Sequence, residues 1–117
     1  MNKTTKKKIR ERATSIRTNC LAMHGSIDGA CREISISLAL VLDNLDEPVC
    51  VCQGTVHRQD HVWCRVGNTI VDATADQFPG SSDPITIKEE QDARQYEEQN
   101  FLIINSFEIL ALLRGDG

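Results

Sequence analysis

Gly67-Asn68 separates two stretches of alternating character, Asp60-His61-Val62-Trp63-Cys64-Arg65-Val66 and Thr69-Ile70-Val71-Asp72, which dictates a β-hairpin with a two-residue loop. A loop of two residues leaves one register: Val66 faces Thr69, Arg65 faces Ile70, Cys64 faces Val71 and Trp63 faces Asp72. Alternation then puts His61, Trp63, Ile70 and Asp72 on one face. Asp72 lies diagonal to His61, about 7–8 Å between backbones, a gap that a carboxylate-to-imidazole hydrogen bond spans.

Thirty residues before His61, Asp28-Gly29-Ala30-Cys31 opens an apolar run. Asp28 is expected as the N-cap, with Cys31 in the first turn of a helix that ends near Asn44. Cys31, Ile34, Leu38, Val41 or Leu42, and Leu45 recur at helical spacing and form one buried face, with the thiol emerging at its end. Unpaired amides and the positive end of the helix dipole favour a thiolate there, and the same amides suit an oxyanion.

A cysteine at a helix start, a histidine on one strand and an aspartate on the next form the set that nucleophilic acyl transfer uses. At GACREISISLALVL and DHVWCRVGNTIVDATADQF the chain resembles the transglutaminase-like cysteine enzymes of the papain-like fold, whose pattern is a Gly-x-Cys helix start, a His-hydrophobic-Trp strand and an Asp-x-Thr strand end. The resemblance covers residues 28–78 and departs from the pattern at Ala73, where the family often has proline. It implies Cys31 as nucleophile, His61 as general base and Asp72 as the orienting acid. The expected reaction is cysteine-dependent acyl transfer on a protein or peptide amide, whether peptide hydrolysis, glutamine deamidation or transamidation, with no cofactor and no metal. Trp63, on the His61 face, is expected to wall the site and offer its indole N–H to substrate. The alternative is a non-catalytic binding protein on the same fold that uses Trp63, Phe78 and the basic N-terminal helix as contact surface.

At 117 residues the chain is expected to be one domain, 1–117, and with aromatics at 4 % its core must come from aliphatic side chains. No stretch of 18 uncharged apolar residues occurs, and Met1 to Lys8 is too polar for a signal peptide, so a cytoplasmic protein with no membrane partner is expected. Lys3, Lys6, Lys7, Lys8, Arg10, Arg12 and Arg17 stand against Glu11 alone in the first seventeen residues, although the whole chain is −4. Without interleaved aromatics, this basic helix, residues 1–23, is expected to lie on its own acidic domain rather than on nucleic acid. The five cysteines have no framework spacing and are expected to be reduced. Cys50 and Cys52 with His57 and His61 make only a loose ligand spacing that would take His61 from Asp72; Cys50, Cys52 and Cys64 are read as core thiols.

These elements predict an α+β fold, helices packed on one side of a small antiparallel sheet with the catalytic core at 28–78. Strands are expected at 49–56, with a bulge at Gly54, at 60–66 and 69–73, at 85–87 and from Phe101 to Ile104. Residues 89–99 are read as helical or mobile, and Ser106 to Arg114 as a closing helix.

Overall fold

The computed structural model describes residues 3–26, 30–42, 49–77 and 83–103. Two helices, α1 (Lys3–His24) and α2 (Cys31–Leu42), precede the strands β1 (Val49–Val56), β2 (Gln59–Val66), β3 (Thr69–Asp72), β4 (Thr86–Glu89) and β5 (Tyr96–Ile103). The sheet has the order β4-β3-β2-β1-β5, and every neighbouring pair is antiparallel.

Both hairpins turn in two residues. Gly67 has φ 57°, the first-position glycine of a type II′ loop, and the register is the counted one: Cys64 with Val71, Arg65 with Ile70, Val66 with Thr69. Between β1 and β2 the loop is His57-Arg58, at φ 51° and 66°. Two positive angles match the twist of the strands, but two non-glycine residues adopt them at a steric cost.

α2 is buried more widely than one stripe. Ile34, Leu38 and Leu42 are buried as expected, and so are Ser35, Ile36 and Ala39. The reason is that α2 packs with α1, through Ile9 and Ala13, and with the sheet, through Cys64, Val66 and Val71, in one cluster. Hydrogen bonds fasten the middle of α2 to β2: Ser35 Oγ donates to the Val62 carbonyl at 3.1 Å, and Cys64 Sγ to the Ser35 carbonyl at 2.9 Å.

The opposite face of the sheet carries a second cluster of Cys50, Cys52, Val56, Trp63, Ile70 and Ala93 with Tyr96 against it. The chain crosses this face between β4 and β5 through a single 3₁₀ turn, Glu90–Asp92, pinned where Glu90 N donates to the Asn68 carbonyl at 2.9 Å. Residues 89–99 are therefore not a helix: the last strand begins at Tyr96 and pairs with β1 from Val56 to Cys50. Its polar sequence reflects an edge position, where Glu97 to Asn100 are exposed. The expected irregularity at Gly54 is present, as a register shift between Gln53 and Gly54 against β5. Asp28, Leu45, Phe78, the turn before Pro48 and the closing helix lie outside the described residues. No helix among the described residues is long and apolar enough to cross a membrane.

Candidate active site

α2 begins at Cys31, and Ile34 N donates to the Ala30 carbonyl at 2.9 Å, so Ala30 occupies the cap position and Cys31 is the first helical residue. The thiol is half-buried, one turn before the Ser35, Val62 and Cys64 contacts that hold α2 against β2. It is hydrogen-bonded to the His61 imidazole.

On the next two strands the hairpin delivers what the count requires. His61 Nε2 donates to Asp72 Oδ2 at 2.8 Å, and both side chains are buried. Because Asp72 takes Nε2, Nδ1 is the nitrogen left for the thiol, which fixes the tautomer and the direction of the ring.

Asp72 is 0 % exposed and accepts four hydrogen bonds. Oδ2 takes His61 and the Tyr96 hydroxyl, the latter at 2.7 Å; Oδ1 takes the Thr74 amide at 2.9 Å and the Thr74 hydroxyl at 3.1 Å. These donors replace the water that burial takes from the carboxyl oxygens. Tyr96 and Thr74 are the site residues that sequence reasoning missed. Thr74 was visible as the last letter of Asp-x-Thr, an Asx-type turn in which the side chain binds the amide two residues on. Tyr96 is the chain's single tyrosine, and nothing local to it points to a residue 24 positions away.

Two strands, β2 and β1, separate Asp72 on β3 from Tyr96 on β5, three spacings or roughly 14 Å at about 4.8 Å each. Their side chains meet over the second cluster, against which Tyr96 packs. Trp63, 1 % exposed, fills the space between: its ring stacks at 6.1 Å on His61, tilted 21°, and meets Tyr96 edge-on at 5.1 Å. In this position it excludes water from the His61–Asp72 bond. It presents almost no surface of its own.

The electrostatics follow from these contacts. Burial opposes the His61 imidazolium, but the hydrogen bond to Asp72, the Cys31 partner and the charges of both outweigh it and hold the ring's pKa up at about 9. The His61 hydrogen bond pulls the Cys31 thiol down against its partial burial, helped by backbone bonds from Val62 and Arg32. Burial pushes the Cys50, Cys52 and Cys64 thiols the other way. One cysteine is thus shifted toward its thiolate by an imidazole partner, while burial holds Cys50, Cys52 and Cys64 as thiols.

The basic helix lies on the domain. Arg17 grips the segment after β3 with Nη1 bonds of 2.9 Å to the Ala73 carbonyl and to Asp76 Oδ1, and an Nη2 bond of 2.5 Å to Asp76 Oδ2; Arg10 lies 3.8 Å from Asp83. Ala73 lies between Asp72 and Thr74, so α1 helps to fix the turn that orients the carboxylate. Compared with known proteins, the chain matches no family model, no curated protein and no solved structure, and its chemistry therefore rests on this geometry alone.

Proposed function

We propose that the chain is a cysteine-dependent acyl-transfer enzyme acting on amides, on a transglutaminase-like core with Cys31, His61 and Asp72 as its triad. The observation that carries this reading is the ordered relay from a half-buried thiol to a buried imidazole to a fully bonded buried carboxylate. Cys31 thiolate attacks the amide carbonyl and forms a carbon–sulfur bond, and the carbonyl electron pair moves onto oxygen, where the Cys31 backbone N–H at the helix start receives it. As the oxyanion collapses the carbon–nitrogen bond breaks, and the His61 imidazolium passes its proton to the leaving amine. Neutral His61 then takes a proton from water, the hydroxide releases the acyl group as a carboxylic acid, and the thiolate is restored. Water is the acceptor that an open site on a small scaffold supplies, so the net reaction is peptide hydrolysis or deamidation. An amine in the same place gives transamidation. Asp72 keeps the imidazole in its working tautomer and Trp63 keeps that contact dry.

The test is alkylation with iodoacetamide at pH 6, read by peptide mass. Cys20 is an internal control, as it too is partly exposed. Cys31 should be modified well before Cys20, and hydrolysis of a glutamine or peptide substrate series should vanish in Cys31→Ala. Equal rates at the two thiols would refute the reading.

A further inference from the structure

A groove of about 260 Å³ runs beside α2, with Ile36, Val51 and Val62 as its apolar floor and Arg32, Gln53 and Asn100 at its rim. It adjoins the nucleophile at two points. Val62, part of its floor, gives a backbone hydrogen bond to Cys31, and Arg32 is the next residue along the helix. Gln53 pairs with Val62 on one side and with Asn100 on the other, so two carboxamides stand in a row across the strands.

The charge of the groove is one-sided. Arg32 is the single ionisable side chain among its described lining residues and takes part in no ion pair among the described residues. Glu33, its neighbour in sequence, lines a separate hollow toward α1 with Cys20 and His24, so it does not neutralise the rim. Arg10, Arg17 and Arg65, by contrast, pair with carboxylates of this chain itself. The volume falls just under the roughly 300–1,000 Å³ of sites that enclose a whole small molecule, which suits a side chain of a longer substrate.

We infer that this groove is the subsite for an acidic side chain beside the amide under attack, and that Arg32 selects it. The inference rests on the acyl-transfer reading and names its substrate class: peptides with Asp or Glu next to the reacting group. The aliphatic stem lies on Ile36, Val51 and Val62, the carboxylate meets the Arg32 guanidinium, and Gln53 and Asn100 bond the peptide backbone.

Two peptidyl vinyl sulfone series that differ only in a Glu, Gln or Lys at either position next to the electrophile test this. Labelling rates at Cys31 are divided by the iodoacetamide rate of the same protein, which removes any change in the thiol itself. In the wild type the Glu probe should outpace the Gln probe about fivefold, the upper end for a partly exposed ion pair, and the ratio should shrink with added salt. Arg32→Gln should bring the ratio near one, and Arg32→Glu should favour the Lys probe. A Glu-to-Gln ratio near one in the wild type, or one that survives Arg32→Gln, overturns the subsite while leaving the nucleophile in place. A Cys31 that iodoacetamide cannot label at pH 6 overturns the acyl-transfer reading and the subsite together.

Discussion

Tyr96→Phe removes one oxygen and should be felt at His61, although Tyr96 is not in the triad. The hydroxyl donates to Asp72 Oδ2 at 2.7 Å, on the oxygen that also binds His61. Burial and the Asp72 charge raise the phenol's pKa well above its ordinary value, so it remains a donor at every working pH. A hydrogen bond to a charged acceptor contributes about 1.5–3 kcal/mol, and the phenyl ring keeps the edge contact with Trp63, so that range is the expected loss in urea unfolding. In an Asp72→Asn background the acceptor is neutral and the same change should cost only about 0.5–1.5 kcal/mol, a difference that a double-mutant cycle resolves. With one donor gone, more of the carboxylate's charge falls on the imidazolium. His61 is therefore expected to titrate above its wild-type value of about 9, followed by the NMR shifts of its ring protons. An unchanged midpoint with an unchanged His61 titration would refute the claim that Tyr96 holds Asp72.

Asp72→Asn should leave a folded protein whose turnover falls by orders of magnitude, about 10⁴ in the serine-protease case, because the imidazole loses its fixed tautomer; turnover within tenfold of wild type would remove Asp72 from the relay. The fold favours protonated His61, so the stability this group adds is complete below its ordinary 6.5 and is lost as pH rises through about 9. The same titration should set the upper limb of a bell-shaped kcat/KM profile near pH 9, with the lower limb below the ordinary thiol value. Gly54→Ala should unseat β5, since an added Cβ would meet the Glu97 carbonyl oxygen, a backbone atom that cannot swing away; lost amide protection along 96–103 is the readout. Arg58→Gly should stabilise by about 0.5–1 kcal/mol in thermal unfolding: relief of a left-handed angle, about 1–2 kcal/mol, exceeds glycine's entropy penalty of about 0.5–1 kcal/mol.

What was legible in the sequence depends on how far apart the partners lie. The His61–Asp72 pair follows from counting outward from Gly67-Asn68, because a two-residue loop leaves no freedom of register. Helical periodicity showed Ile34, Leu38 and Leu42 as core for the same reason, that the pattern repeats within a few residues. It could not show Ser35, Ile36 and Ala39 as buried, since a helix wedged between another helix and a sheet loses its polar face to packing that no local pattern encodes. Only the end of β5, from Phe101, was legible as a strand: at its edge position exposed Glu97, Glu98 and Gln99 read as helical or mobile, and with that first half went Tyr96.

The sheet order has a kinetic consequence. β1, β2 and β3 follow one another through two-residue loops, so the His61–Asp72 hairpin closes from near neighbours and forms early, whereas β5 must return to β1 across some forty positions. Docking of this edge strand therefore comes late in folding, and its release is a partial opening that leaves the hairpin paired. Each such opening frees one oxygen of Asp72 from Tyr96 without unmaking the relay, which ties the rigidity of the buried carboxylate to the fraying of a strand that contributes no member of the triad.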